Sequence, residues 1–337
     1  MTDSHTESGS LVISLDFELY WGIRQKQAIS DCADSLLGAR NVVPELLKLF
    51  QSHQIHATWA TVGFLFFEST NQALGYLPEK EPNYLKESLC NCTYLKSMEG
   101  EQTSFDFHFA PELIEQIRQT PGQEIASHTF SHYFCLEERQ DSHAFRCDLE
   151  AMNGVASKWN VDIKSIVFPR NQVNRRFLKV CKQKGIESYR GLEKHKVGRS
   201  IDDPHARWSS IRRLFRLLNA YVNLSGDNSY ALDEIRRDDP YPVSIPSSRF
   251  LRPYSKCLRR LEPLRLKRLT SEMTLAAKKK HIYHLWWHPH NFGKNTDENL
   301  SVLKALLDHY EILKRDYGLE SHNMAEVFQK VSLRSST

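Results

Sequence analysis

His128 and His132 stand four residues apart in Ser127-His128-Thr129-Phe130-Ser131-His132. On a single helical turn that spacing puts both imidazoles on one face. Two neutral ring nitrogens converging on one point suit a divalent metal. A pair of acids, Asp16-Phe17-Glu18, ends an apolar run near the N-terminus. Strand residues two apart point to the same side. Two histidines and one carboxylate, with a second carboxylate left as general base, make a hydrolytic metal site.

Other reactive groups sit at similar places. Arg170 follows Phe168-Pro169 at the end of an apolar run, where a guanidinium can orient a carboxylate and hold it ionised. Residues 281–290 hold four of the 15 histidines: His281, His284, His288 and His290. Histidine titrates near neutrality and can pass a proton to a leaving group, the role expected of His288. His281 and His284 read as core or edge histidines. Trp286 or Trp287 is expected to form an apolar wall or a platform for a sugar ring. Neither a glycine-rich phosphate loop nor a G-x-S-x-G elbow occurs.

The elements that must position these groups alternate in type. Apolar, β-rich runs at 11–15, 55–67, 123–127, 164–168, 186–189 and 281–287 read as strands. Helical periodicity marks 34–50, 111–119, 137–159, 174–184, 296–315 and 324–331. Residues 75–108 read as loop, and 191–280 mixes basic helical stretches with proline-rich breaks. Such alternation predicts an α/β fold with parallel strands, as an open sheet or a barrel. In a barrel the strand ends that carry Asp16, Glu18, His128, Arg170 and His288 share one face, the face that bears active sites.

The bulk numbers are compatible with a sizeable core: 337 residues, 40% of them hydrophobic. No apolar run is long enough to span a bilayer, and the polar start MTDSHTESGS lacks the pattern of a secretory signal. Seven cysteines without framework spacing suggest reduced thiols, with Cys90 and Cys92 a lone C-x-C. Net charge is only +4, yet residues 249–280 carry eleven Lys or Arg against Glu262 and Glu272. That stretch points to an anionic partner. No nucleic-acid reading module is present, so no nucleic-acid partner is expected.

Taken in order, the motifs resemble the polysaccharide deacetylase family, the NodB-homology or carbohydrate esterase family 4 group. Ser14-Leu15-Asp16-Phe17-Glu18 looks like its acidic motif, and His128-Thr129-Phe130-Ser131-His132 like its His-Ser/Thr-x-x-His motif. Residues 56–63 are similar to its second-strand segment. Phe168-Pro169-Arg170-Asn171 looks like its arginine motif and Leu285-Trp286-Trp287-His288-Pro289 like its late histidine motif. The resemblance covers about 10–190 and 281–330. It implies a distorted (β/α) barrel spanning 10–335 as one domain, after a disordered N-terminus at 1–9 and with a basic insertion at about 191–280. It further implies a divalent metal, Zn²⁺ first and Co²⁺, Mn²⁺ or Fe²⁺ next, held by Glu18, His128 and His132. Asp16 would be the base, Arg170 its orienting partner and His288 the acid. Trp286, Trp287, Asn171 and His290 would line the substrate.

Two departures stand out. The acids are separated by Phe17 and the second is Glu, where the family commonly has adjacent aspartates, so the roles of base and ligand could be exchanged. Arg170 also follows its proline, where the family commonly puts Arg before it. The expected substrate is an acylated sugar, N-acetyl or O-acetyl, linked to a nucleotide or polyprenyl phosphate or part of a surface glycan. The expected location is cytoplasmic, at the inner face of a membrane that the basic segment could touch. A deformylase or other amide hydrolase of the same fold is the alternative enzyme, and a catalytically silent glycan-binding barrel is the alternative from another class.

Overall fold

The computed structural model describes residues 8–100, 105–194 and 209–334. Residues 1–7 of the expected disordered N-terminus, and residue 335, lie outside the described residues. Nine strands are present among the described residues: β1 (Ser10–Phe17), β2 (Ala57–Thr61), β3 (Gln123–Ser127), β4 (Ser165–Ile166), β5 (Ser188–Gly191), β6 (Val243–Pro246), β7 (Arg249–Phe250), β8 (Ile282–Trp287) and β9 (Glu320–His322). They pair in the order β6-β5-β4-β3-β2-β1-β8-β7, every pair parallel, with β9 beside the first residues of β1. Helices connect most successive strands, as parallel pairing requires.

The sheet curls into a distorted α/β half-barrel, and two serines between β6 and β7 join its two edges along the chain. Ser247 N–H donates to the Gly191 carbonyl of β5 at 3.0 Å, and Ser248 N–H to the His284 carbonyl of β8 at 2.8 Å. The stretch expected as an insertion at about 191–280 contributes to the sheet through its described residues. It supplies β6, β7 and the helix Glu262–Lys279, which packs on β1 and β8. Short strands broken by prolines gave it little periodicity to read.

Alternation along β1 sorts the two cores. Leu11, Ile13, Leu15 and Phe17 join the large core between sheet and helices, with Phe50, Leu46 and Val43 of the helix Ile29–Ser52. Burying each such side chain contributes about 1.5–3 kcal/mol. Val12 instead joins a smaller inner core with Ala60, Val167, Ile245 and Ile282. Above it, on the same parity, come Ser14 and Asp16, so the barrel interior turns polar toward the C-terminal ends of the strands.

Candidate active site

Parallel strands deliver the polar residues to one end. Asp16 lies near the end of β1 with Glu18 just past it, His128 follows β3, Arg190 lies in β5, and His288 follows β8. Asp16, Glu18, His128 and His132 are all buried.

Glu18 is the meeting point. Its Oε2 lies 3.2 Å from His128 Nε2 and 3.0 Å from His132 Nε2. A carboxylate oxygen and one nitrogen from each ring all fall within 4.8 Å of one another. His128 Nδ1 lies 2.8 Å from the Val167 carbonyl, which can only accept, so that nitrogen carries the proton. The other nitrogen of a neutral ring is then a bare lone pair aimed at a carboxylate oxygen. Two acceptors at that distance repel unless a proton or a cation lies between them. His132 Nδ1 is buried and has no hydrogen-bond partner, so that ring's tautomer is not fixed from behind as it is in His128. The donor set and the backbone hold on His128 fit a divalent cation.

Burial raises the Glu18 carboxyl, yet His288, His128 and His132 overcome it and hold it well below the ordinary range. Burial pushes His132 down to about 4, against the upward pull of Glu18. A neutral imidazole beside an ionised carboxylate is the state a metal requires.

The histidines do not share a helical turn. They occupy a loop in which Thr129 (φ 63°) and His132 (φ 58°) adopt left-handed backbone, and this brings the rings together. Such backbone is costly for a β-branched residue and must be held from outside. Asp148 holds it, accepting from Phe130 N–H at 2.7 Å, from Ser131 N–H at 3.1 Å and from the Ser131 hydroxyl. Gly63 lets the loop approach, since a side chain there would overlap Phe130. Gly22 does the same for Glu18, because a methyl group there would overlap its carboxyl.

The guanidinium on Asp16 is that of Arg190. Its two terminal nitrogens donate to the two carboxylate oxygens at 2.6 and 2.8 Å. Burial raises the Asp16 carboxyl, but Arg190, with His128 and His288, holds it below its ordinary value. Arg170, expected in that role, donates to Glu137 at 3.3 Å and stacks on Phe134, 3.9 Å from the ring centre. Left-handed backbone at Arg170 (φ 57°) and Asn171 (φ 53°) sends the arginine to the pocket rim and Asn171 inward. Asn171 Oδ1 then accepts from Arg190 at 3.0 Å.

His288 Nε2 stands 3.7 Å from Asp16 Oδ2 and 3.6 Å from Glu18 Oε1. Trp286 faces the same cavity, its ring 4.2 Å from the Arg190 guanidinium carbon and 4.7 Å from the Phe250 ring. Trp287, expected with it, points the other way. It is fully buried in the helix-facing core, stacked on Phe292 and edge-on to Phe50. Strand parity permits only one of two adjacent tryptophans to reach the pocket. His290 packs 5.0 Å from His288 at the pocket wall, and burial pushes it down to about 4. His284 is an interior histidine, as expected, bonded to Ser14 Oγ at 2.9 Å and pushed down to about 3, chiefly by burial. Together these groups border an open pocket of ≈ 290 Å³.

Sequence reasoning missed Arg190, Gly22, Asp148 and the Val167 carbonyl. Only Arg190 left a signal, a charged residue inside the buried strand Ser188–Gly191.

The sequence profile of the polysaccharide deacetylases matches residues 29–189. That span contains His128 and His132 but neither acid, nor Arg190, nor His288. No curated protein matches the chain in sequence. Among solved structures, a Mycobacterium smegmatis protein assigned as a polysaccharide deacetylase superposes with a TM-score of 0.60 at 14% identity, over 98% of this chain and 93% of that one. The Puue allantoinase superposes at 0.53 and 12% identity, over 96% and 91%. A 4-alpha-glucanotransferase from Thermococcus litoralis superposes at 0.52 and 11%, over 96% of this chain and 41% of that one. At such identities the likeness shows the barrel fold.

Proposed function

Because the polysaccharide deacetylase profile matches residues 29–189, we propose that the chain is a divalent-metal-dependent hydrolase that removes an acyl group, acetyl first, from an amide or ester on a sugar. The observation that carries this reading is the pair of imidazole nitrogens facing Glu18 Oε2, with His128 fixed from behind by Val167.

Glu18, His128 and His132 would hold the cation. When bound, it supplies Lewis acidity that polarises the acyl carbonyl and makes water a competent nucleophile near neutral pH. Asp16 accepts the proton that the attacking water loses. Arg190 fixes the direction of that carboxylate and keeps it ionised. The double contact of Glu18 with the histidines, and of Asp16 with Arg190, supports ligand and base in that order. His288, across the cavity from both acids, delivers a proton to the departing amine or alkoxide. Trp286 offers an apolar wall on which a sugar ring can lie.

The experiment pairs metal analysis with product analysis. The wild type and a His128→Ala/His132→Ala variant are compared for bound metal, and for acetate and formate release from N- and O-acylated oligosaccharides. We expect the variant to lose one equivalent of metal and all acyl release. Acetate identifies a deacetylase, and formate would convert the reading to a deformylase of the same fold. A folded variant that keeps its full metal content, or a metal-replete wild type that releases neither acid, would end it.

A further inference from the structure

Away from the pocket, the C-x-C pair meets a third ligand that its sequence spacing did not reveal. One carboxylate oxygen of Glu81 and the two sulfurs of Cys90 and Cys92 lie within 4.8 Å of one another. Cys90 is 5% exposed and Cys92 fully buried, while Glu81 is half-buried at the rim. We propose that Glu81, Cys90 and Cys92 form a second metal site, for a thiophilic d¹⁰ cation such as Zn²⁺.

Two observations support it beside that geometry. First, the ligand chemistry is right: two thiolates and a carboxylate suit Zn²⁺, and Glu81 is partly open to solvent. Second, charge balances. Two thiolates and one carboxylate around a dication leave one negative charge, and Lys96 Nζ lies 2.6 Å from Glu81.

Its place in the fold gives the site a purpose. Asn91, between the two cysteines, donates through Nδ2 to the Trp21 carbonyl at 3.2 Å and to the Ser131 carbonyl at 2.9 Å. Arg24 donates to Asn91 Oδ1 at 2.5 Å and to the Cys90 carbonyl at 2.8 Å. The segment bearing both thiols thus ties the loop after Glu18 to the peptide just before His132. A cation there would fix that clamp without touching substrate.

Cobalt titration of metal-free, reduced protein tests this. Thiolate–Co²⁺ coordination gives a charge-transfer band in the near ultraviolet, and His/carboxylate coordination gives none. The expected result is a band complete by two equivalents in the wild type, saturating at one equivalent in His128→Ala/His132→Ala, bleached by Zn²⁺ and lost in Cys90→Ser/Cys92→Ser. Glu81→Gln, at the rim and independent of the buried thiols for folding, should saturate at higher Co²⁺. Absence of the band in folded wild type, or a band that Glu81→Gln leaves at wild-type affinity, would overturn the proposal. Persistence of the band in the double serine variant would do the same.

Discussion

The molecule buries two clusters of charge, and they differ in what they leave undone. Both oxygens of Glu272 are fully bonded. Its Oε1 accepts from Arg249 at 2.7 Å and Arg268 at 2.9 Å, and its Oε2 from Arg249 at 3.2 Å and Tyr283 at 2.9 Å. Around Glu18 one oxygen faces two imidazole nitrogens, and a buried His132 nitrogen has no partner. A saturated carboxylate joins the helix Glu262–Lys279 to β7 and β8. An undersatisfied one, open to a cavity, is built to receive something. What separates structural from functional charge here is spare bonding capacity, because burial is equal in both.

The largest effect should come from breaking the bridge between base and barrel. Arg190→Met leaves Asp16 buried without its counter-charge, which costs about 3–5 kcal/mol of stability by chemical denaturation. Burial, opposed then only by His128 and His288, raises Asp16. A raised base is ionised only at higher pH, so the acid limb of the kcat/KM profile should move upward. At neutral pH the rate should fall by roughly 10²–10⁴, the range of a lost general base. Arg170→Met, at the rim, should leave that limb in place. A limb that moves with Arg170 and not with Arg190 would reverse the assignment drawn from the geometry.

Glu272→Gln sharpens the comparison from the other side. It leaves Arg249 and Arg268 buried with no full counter-charge, and a similar loss of about 3–5 kcal/mol is expected. Metal content and kcat per folded molecule should stay at wild-type values. A fall in kcat at unchanged metal content would mean that the two clusters communicate, and the division between them would fail.

Much of this architecture was legible beforehand, and the exceptions have physical causes. Strand–helix alternation reached the barrel because period-2 and period-3.6 patterns are local. That Asp16, Glu18, His128, His132 and His288 come together was legible because parallel strands deliver their C-terminal ends to one face. Arg190 was not, since its partner lies 174 residues away and only the curl of the sheet makes them neighbours. Arg170 misled because a left-handed turn, invisible in composition, redirects its side chain. Two adjacent tryptophans could not be told apart without knowing which parity faces the interior. The basic stretch misled most, because charge counts ignore pairing. Arg265 is buried against Glu262, and Arg268 against Glu272.

What remains of that stretch outside the folded core is a set of exposed cations, Arg259, Arg260 and Lys267 among them. Reversing all three to Glu should change stability by no more than about 0.5 kcal/mol, since exposed charges seldom do more. The same reversal should weaken any attraction to anionic vesicles by about 1 kcal/mol per cation removed, and added salt should erase the difference. Co-sedimentation with vesicles rich in anionic phospholipid, at low and physiological salt, separates the cases. If wild type and triple variant sediment alike, the anionic-surface reading of this region falls. Its charge would then serve the barrel alone, through the pairs that Arg249, Arg265 and Arg268 already make.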